Sequence, residues 1–281
     1  MIKTARQLKG LVRNISKGDS IKALEVMTSY AIERFLERLS LSSYRDCLIL
    51  KGGTLVATLL GIENRSTKDI DVTVKNRPLT IEEIEHLVKE VISVPLDDGT
   101  EFIVIDTNVI MDELDYPGVR VLLEAQLERI RIPFKIDFST DDVITPSEIN
   151  YSMKLLFEDR QIFLLAYNVE TVLAEKLETI LSRGTASTRM RDYYDIYALT
   201  AIPLDTIDYE ILSNAFSNTC RKRKTIVDKE VVNLIVSEIA IDATVMNQWE
   251  RYRRKYDYAA NIDWPLIISA VRNTFRRASL M

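Results

Sequence analysis

Cysteine, histidine and long apolar runs are all scarce in this chain of 281 residues. The two cysteines, Cys47 and Cys220, are predicted to be free thiols, as is typical of the reducing cytoplasm. The single histidine, His86, falls in a predicted surface helix and is given no catalytic role. No apolar run approaches the roughly 18 residues of a membrane helix, and the N-terminus lacks the apolar stretch of a signal peptide. We therefore expect a cytoplasmic protein with no membrane partner.

Internal repeats and low-complexity tracts are also missing, and the composition is that of an ordinary globular protein, 47% hydrophobic and 28% charged. The net charge of −5 is unevenly distributed. Residues 221–281 carry 12 Lys and Arg against 7 Asp and Glu, whereas the remaining residues carry 25 against 35. This asymmetry indicates a surface for a polyanion on an otherwise acidic body, with a plain solvated helical surface as the alternative.

A strand, a glycine turn and a helix follow one another near the start of the chain. Residues 47–50 are apolar and predict a short buried strand, Gly52 and Gly53 break it, and residues 55–60 begin a helical run. Glycines let backbone N–H groups approach an anion, and a helix N-terminus adds positive partial charge. The stretch therefore predicts a phosphate cradle at Gly52, Gly53 and Thr54, and a plain strand-to-helix turn is the alternative.

Two carboxylates follow the cradle on a predicted strand over residues 69–74. Asp69 and Asp71 are two residues apart, so both side chains point to the same face of that strand. Adjacent carboxylates repel each other, and a divalent cation removes the repulsion. Mg²⁺ is usually held by one or two carboxylates together with substrate phosphates. We expect a metal site here, with a polar sheet edge as the alternative.

Together these motifs are typical of the polymerase-beta-like nucleotidyltransferases. The fuller string, residues 52–54 followed by residues 65–71, resembles the AbiEii toxins of type IV toxin–antitoxin systems. Residues 169–177 look like the lysine motif of that family, and residues 189–197 look like its Arg/Asp motif. The resemblance runs from about residue 48 to about residue 199.

The resemblance implies roles for individual residues. Asp69, Asp71 and a third carboxylate between apolar neighbours on another strand, Asp137, would hold Mg²⁺ or, alternatively, Mn²⁺. Thr67 would lie near the catalytic centre, although a hydroxyl that caps the strand is the alternative. The NTP would be held by Lys51, Gly52, Gly53, Thr54, Arg65 and Lys176. For Arg65 the alternative is a surface pair with Glu63.

The lysine and Arg/Asp motifs are predicted to lie on helices. Lys176 falls on the apolar stripe of its helix, so it must snorkel to solvent or meet an anion. The resemblance makes that anion the nucleotide phosphates. Asp192 and Asp195 are three residues apart and share a helix face. We expect at least one of them to reach the active site, with an ion pair to Arg189 or Arg191 as the structural alternative.

The expected fold class is α+β. Residues 1–168 would form a nucleotidyltransferase lobe, a mixed sheet with flanking helices, and residues 169–281 a helical lobe carrying the Lys and Arg/Asp motifs, with a ligand cleft between them. An amphipathic helix is predicted over residues 20–39, with Asp19 or Ser20 as its cap. Further strands are predicted over residues 101–110, 119–126, 132–138 and 161–167. Asp141 and Asp142 are predicted to be turn residues.

The function that the resemblance implies is transfer of a nucleoside monophosphate from an NTP to an RNA, the 3′ end of a tRNA, which arrests growth. A cognate antitoxin, expected to be a DNA-binding repressor, is implied in the same way. The alternatives are transfer to a small molecule or protein, a kinase, or a nucleotide-binding regulator without catalysis. Two basic clusters in the helical lobe are predicted to bind the RNA: Arg221, Lys222, Arg223, Lys224, Arg251, Arg253 and Arg254.

Overall fold

The computed structural model describes residues 1–111, 117–140, 142–201 and 207–281, and in it the chain divides into two units. The first unit comprises residues 1–142 and 148–167, and the second comprises residues 143–147 and 168–281. The sequence pattern placed the division after residue 168 and gave no sign that residues 143–147 belong with the second unit. The mixture of helices and strands confirms the α+β class.

The first unit is built on one mixed sheet. Seven strands run in the order β3-β4-β5-β2-β1-β7-β6. The central strand β2 pairs antiparallel with β1 and parallel with β5, and β1 pairs parallel with β7. The strands are β1 Leu48–Lys51, β2 Asp69–Val74, β3 Glu101–Met111, β4 Pro117–Leu127, β5 Ile130–Ser139, β6 Ile149–Lys154 and β7 Gln161–Ala166. The helices of this unit are α1 Ala5–Ser16, α2 Ser20–Leu41, α3 Gly52–Leu60 and α4 Ile81–Ser93.

Helix α2 differs from the expected amphipathic pattern. Asp19 caps it as predicted, because its carboxylate accepts from two N–H groups of the first turn. The apolar Ile21 and Leu24 are nevertheless 70% and 53% exposed, whereas two glutamates and two arginines in the second half are buried. These buried charges are matched: Arg34 pairs with Glu33 and Glu37, both at 2.7 Å, and Arg38 pairs bidentately with Asp98. Buried charges persist where each has a partner.

All regular secondary structure in the described part of the second unit is helical. Its helices are α5 Val169–Arg183, α6 Met190–Ala201, α7 Tyr209–Arg223, α8 Lys229–Ile241, α9 Ala243–Lys255 and α10 Trp264–Arg277. Asn168 starts α5 by accepting from the N–H of Thr171 at 2.7 Å. The core of the unit includes both tryptophans of the chain, Trp249 and Trp264. The four helices between residues 207 and 277 agree with the helical character expected of residues 169–281.

Neither a disulfide nor a membrane-spanning helix is found among the described residues. Cys47 and Cys220 are both free, as predicted. Across the described residues, every helix is too short or too polar to span a bilayer.

Candidate functional site

The glycine turn connects β1 to α3 directly against the carboxylate strand. Gly52 is the first residue of α3 and has a φ of 61°. A Cβ at this position would lie 2.3 Å from Oδ2 of Asp71, so a side chain cannot be accommodated without displacing the carboxylate. The N–H of Gly53 donates to the same oxygen at 3.1 Å. The turn and Asp71 therefore form one local structure, in which a backbone amide already holds an anionic oxygen.

Four charged residues lie at the same level across four neighbouring strands. Lys51 on β1 pairs in register with Asp71 on β2, Asp71 pairs with Asp137 on β5, and Asp137 pairs with Arg120 on β4. Residues directly opposite each other in a sheet present their side chains on the same face. The sheet thus carries a row of one lysine, two aspartates and one arginine, which we call the charged row: Lys51, Asp71, Asp137 and Arg120.

Two cations hold the carboxylates at and beside this row. Arg120 binds Asp137 with both ends of its guanidinium, Nε to Oδ1 at 2.6 Å and Nη2 to Oδ2 at 2.7 Å. Lys135 lies opposite Asp69 and places its Nζ 3.3 Å from Oδ2 of Asp69 and 3.6 Å from Oδ2 of Asp137. The structure therefore brings the three predicted carboxylates to one end of the sheet, together with cations that the sequence did not point to.

Asp71 occupies an unfavourable position for a carboxylate. Burial raises the pKa of Asp71 above its ordinary value, the ammonium of Lys51 and the N–H of Gly53 counteract part of that effect, and the charges of Asp137 and Asp69 raise the pKa further. A carboxylate in such surroundings gains from a nearby cation.

The donor chemistry fits a magnesium ion shared with phosphates. Asp69 and Asp71 share a strand face, and Mg²⁺ needs only one or two protein carboxylates when phosphates supply further oxygens. In residues 1–111, 117–140, 142–201 and 207–281, no three acidic, cysteine or histidine side chains are arranged to hold a metal by themselves.

Lys51 is oriented by a residue whose role the sequence did not indicate. Its Nζ donates to Oγ of Ser139 at 2.7 Å and to Oδ2 of Asp142 at 2.5 Å. Oδ2 of Asp142 also accepts from the hydroxyls of Thr73 and Ser139. Burial would raise the pKa of Asp142, but Lys51 and these hydroxyls lower it to about 2. Asp142 was predicted to be only a turn residue, and in the structure it also orients Lys51. Asp141 lies outside the described residues.

Three of the predicted site residues, two nucleotide-binding and one catalytic, support the turn from within. The hydroxyls of Thr54 and Thr67 both donate to the main-chain carbonyl of Asp69. Arg65 is 1% exposed and donates to the carbonyl of Ser66. Its Nη2 would lie 3.1 Å from a Cβ at Gly53. In this geometry Thr67 caps the carboxylate strand, which was the alternative, and Arg65 packs beneath the turn.

A cavity of about 550 Å³ adjoins this side of the turn. Thr54, Arg65 and Thr67 line one part of it. The remainder is formed by one face of α2, the second half of α3 and the end of β6. Its size lies within the range of small-molecule pockets.

The lysine motif and the Arg/Asp motif meet in the second unit. Nζ of Lys176 lies 2.7 Å from Oδ1 of Asp192 and 2.7 Å from Oδ2 of Asp195. Asp192 is also bound by Nε of Arg189 at 2.7 Å, which is the predicted structural pair. All three members of the central group are buried, with Lys176 8% and Asp195 0% exposed. The anion that Lys176 meets in this structure is thus a pair of carboxylates.

The protonation states of this buried group support one another. Burial would lower the pKa of Lys176, but the two carboxylates raise it above its ordinary value. Burial would raise the pKa of Asp192, but Lys176 and Arg189 lower it to about 2. Lys176 and Asp192 are therefore both charged at neutral pH.

The two predicted RNA-binding clusters contain both structural and exposed residues. Arg223 is tied to Glu175 at 3.2 Å and to Glu178 at 2.6 Å. Arg253 is tied to Glu250 at 3.3 Å and to Asp263 at 2.5 Å. Lys222 is half-buried. The members that lie exposed on the surface are Arg221, Lys224, Arg251 and Arg254.

Aromatic rings lie next to the second cluster. Tyr256 and Tyr258 stack with ring centroids 5.2 Å apart, and Tyr252 lies 4.7 Å from Tyr256. The cations of Arg191 and Lys255 lie 5.8 Å and 5.4 Å from the Tyr256 ring. All three rings are half-buried, so part of each is accessible.

Arg120, Lys135 and Asp142 are the site residues that sequence reasoning missed. Arg120 and Lys135 do stand at the alternating positions of predicted strands, which is the one signal that could have found them. Their significance depends on strand pairing, because only the register of β5 with β2 and β4 places them beside Asp69 and Asp137.

Comparison with known proteins agrees with the motif resemblance. The family model described as nucleotidyl transferase AbiEii toxin, type IV TA system, matches residues 34–275. The chain therefore belongs to this family, which confirms the relationship inferred from the four motifs. No curated protein sequence matches the chain significantly.

The solved structures that superpose on most of the chain share little sequence with it. A candidate nucleotidyltransferase from H. pylori is 15% identical, with a TM-score of 0.49, over 91% of this chain and 96% of that one. JHP933 from Helicobacter pylori is 16% identical, with a TM-score of 0.48, over 89% of this chain and 90% of that one. An antigenic nucleotidyltransferase-like protein from Paracoccidioides brasiliensis is 16% identical, with a TM-score of 0.39, over 74% and 92%.

Proposed function

We propose that this member of the AbiEii nucleotidyl transferase toxin family transfers a nucleoside monophosphate from an NTP to the 3′ end of a tRNA in the cytoplasm, which blocks translation and growth. The observation that carries the proposal is the charged row beside the glycine turn. It sets Asp71, a carboxylate disfavoured by burial, against an anion-binding amide and between Lys51 on one side and Asp137 on the other. A cognate antitoxin follows from the family, and we propose that it is a DNA-binding repressor.

The residues of the first unit would position the nucleotide. Asp69 and Asp71 would hold Mg²⁺, with Asp137 next to them on β5. Bound there, Mg²⁺ supplies activation of the acceptor hydroxyl and neutralises charge on the leaving pyrophosphate. The hydroxyl oxygen would form a bond to the α-phosphorus and lose its proton to solvent, while the bond from that phosphorus to the bridging oxygen breaks and pyrophosphate leaves with that oxygen. The amide of Gly53 and the ammonium of Lys51 lie beside Asp71 and would orient the phosphates.

The buried group of the second unit would hold the ammonium of Lys176 in a fixed position. Asp192 and Asp195 each contact Nζ of Lys176 at 2.7 Å and so define where that ammonium lies. We propose that Lys176 contacts the nucleotide phosphates and that the two aspartates position it. A lysine held by two carboxylates is preorganised, because its flexible stem has already lost its conformational freedom.

The acceptor would be bound through the exposed arginines near the tyrosine cluster. A folded RNA presents phosphates over a wide surface, and contacts to them increase affinity by releasing counterions. Unpaired bases at an RNA end stack on tyrosine rings and arginine planes. Arg251 and Arg254 are exposed beside Tyr252 and Tyr256, which suits both kinds of contact.

Labelled nucleotides test this proposal. The protein is incubated with total tRNA, Mg²⁺ and each of the four NTPs in turn, labelled at the α-phosphate in one series and at the γ-phosphate in another. We expect α-label, and no γ-label, to appear at the 3′ end of tRNA with at least one NTP. Transfer of γ-label would identify a kinase. Label on small molecules or protein with none on RNA would replace tRNA as the acceptor, and no transfer at all would favour a regulator.

A further inference from the structure

The ammonium of Lys135 contacts the carboxylate oxygens that a divalent cation at this site would use. Its Nζ lies 3.3 Å from Oδ2 of Asp69 and 3.6 Å from Oδ2 of Asp137. The contact is fixed by the sheet itself, because Lys135 on β5 pairs in register with Asp69 on β2. An ammonium and a divalent cation cannot occupy the same carboxylate oxygens, since the two positive charges repel each other strongly at such distances.

Of the two cations on these carboxylates, Lys135 is the one that can leave. Arg120 binds Asp137 with two parallel hydrogen bonds of 2.6 and 2.7 Å, and a planar guanidinium in this arrangement is held in both position and orientation. Lys135 makes two longer contacts with a single charged group on a flexible stem. Its side chain is 29% exposed, so the ammonium already touches solvent and has room to move.

We propose that Lys135 couples metal binding to nucleotide binding: in the free protein it neutralises Asp69 and Asp137, and it passes to a nucleotide phosphate when a divalent cation takes those carboxylates. The inference rests on the proposed function and adds a residue to it. The total charge explains why an exchange is favourable. Without ligands, the three cations Lys51, Lys135 and Arg120 face four aspartates, because Lys51 also binds Asp142, so the group is slightly negative and a divalent cation turns it positive. When a divalent cation arrives, Lys135 becomes surplus on the carboxylates, and a phosphate provides the anion that it then lacks.

The exchange predicts that metal and triphosphate bind cooperatively. A divalent cation alone must displace Lys135 into solvent, which weakens its binding. When a triphosphate binds without metal, the ammonium of Lys135 is still bound to Asp69 and Asp137, so the triphosphate lacks that contact. When both bind, each ligand removes the obstacle to the other, and thermodynamic linkage requires the effect to be equal in both directions.

The first test measures binding of Mn²⁺ alone by electron paramagnetic resonance, without nucleotide. Lys135→Met keeps the stem and removes the charge, so it should bind Mn²⁺ roughly tenfold more tightly than the unaltered protein, because a positive charge within about 4 Å has been removed. Lys89→Met is the matched control. Lys89 is paired only locally with Glu85 on α4, at 3.1 Å, and its side chain is 60% exposed. Its Mn²⁺ affinity should not change.

The second test measures inorganic triphosphate binding by calorimetry with Mn²⁺ held in excess. Lys135→Met should bind triphosphate roughly tenfold more weakly, because it lacks the ammonium that moves from the carboxylates to a phosphate. Unchanged Mn²⁺ affinity in Lys135→Met would overturn the proposal. Tighter Mn²⁺ binding with unchanged triphosphate affinity would also overturn it, since Lys135 would then merely repel the metal.

Asp71→Asn separates a failure of this inference from a failure of the proposed function. If Asp71→Asn no longer binds Mn²⁺ while Lys135→Met binds it like the unaltered protein, the metal site stands and the role of Lys135 is wrong. If Asp71→Asn binds Mn²⁺ as well as the unaltered protein does, the metal site itself is misplaced. Thermal unfolding of each variant, which should stay close to that of the unaltered protein, shows that the sheet is intact.

Discussion

At the scale of single residues, the close approach of Gly52 to Asp71 restricts which residues the glycine turn accepts more than backbone flexibility does. Gly52 has a positive φ of 61°, and a Cβ added to it would lie 2.3 Å from Oδ2 of Asp71. Gly53 has more room, since its Cβ would lie 3.1 Å from Nη2 of Arg65 and 3.3 Å from Oγ1 of Thr67. The Gly-Gly pair was predicted from the sequence, but which glycine is indispensable follows only from the position of Asp71.

We predict that Gly52→Ala abolishes transfer and Gly53→Ala reduces it only partly. Alanine at Gly52 is strained in its backbone and displaces the Asp71 carboxylate, whereas at Gly53 a shift of a few tenths of an ångström in two side chains accommodates it. The measurement is α-label transfer together with thermal unfolding. Gly10→Ala is the control, because nothing lies within 4 Å of its Cβ and α1 should become slightly more stable. Equal activity of the two cradle variants would contradict this account.

The acid stability of the second unit provides another prediction for a single side chain. The pKa of Asp192 is lowered from 3.8 to about 2 by Lys176 and Arg189 against the effect of burial. A lowered pKa contributes stability that is fully present above pH 3.8 and is lost as the pH falls through about 2. From this carboxylate we expect a loss of up to about 2 kcal/mol across that window.

Both tryptophans lie in the second unit, so their fluorescence reports its unfolding by denaturant at pH 6, 4 and 2.5. Asp192→Asn should be less stable at pH 6 and should lose less stability on acidification than the unaltered protein. An equal loss in both proteins would show that Asp192 does not titrate in this range.

At the scale of elements, the sequence predicts those parts whose pattern is local. The apolar run before two glycines fixes β1, the turn and α3, and the alternation around Asp69 and Asp71 fixes β2. Strand β6 was missed because it lies at the edge of the sheet, where most of its side chains are exposed and no apolar alternation arises. The buried half of α2 was misjudged because Arg34 and Arg38 look like surface residues until their acidic partners are placed.

Helices α5 and α6 are joined by the contacts of Lys176 with Asp192 and Asp195. Lys176→Met should destabilise the second unit by about 3 kcal/mol, because two buried carboxylates lose a shared counterion. The double variant Lys176→Met with Asp195→Asn should recover part of that loss, since one of the stranded charges is also removed. Denaturation followed by tryptophan fluorescence measures both. If the double variant is no more stable than the single one, the two residues are not coupled in stability.

At the scale of the whole molecule, charge distribution was predictable but the role of each charge was not. The basic excess of residues 221–281 is evident in the sequence, yet Arg223 and Arg253 are consumed by ion pairs inside the second unit. Arg251 and Arg254 are exposed and remain the best candidates for RNA contacts. Side chains only one or two residues apart on one helix therefore differ in exposure and in their ion pairs.

We predict that Arg251→Gln with Arg254→Gln weakens tRNA binding and reduces its salt dependence by roughly one unit of log–log slope for each phosphate that is no longer bound. Binding of NTP should be little changed. The control is Arg6→Gln with Arg13→Gln, two exposed arginines of α1 whose replacement changes the net charge equally. Affinity is measured between about 50 and 200 mM salt. An equal effect in both double variants would indicate a general charge effect and no defined RNA surface.

The central claim is that Asp71 serves catalysis at a cost to the fold. Because burial and neighbouring carboxylates raise the pKa of Asp71, this residue favours the folded state at low pH and loses that contribution as the pH rises through its raised pKa. At neutral pH, Asn should therefore be tolerated as well as Asp. The most direct measurement compares the unaltered protein with Asp71→Asn at pH 7, by thermal unfolding without metal and by transfer of α-label with Mg²⁺. We predict an unfolding temperature at least as high as that of the unaltered protein and no detectable transfer. Transfer at the unaltered rate, or a variant that fails to fold, would contradict the account.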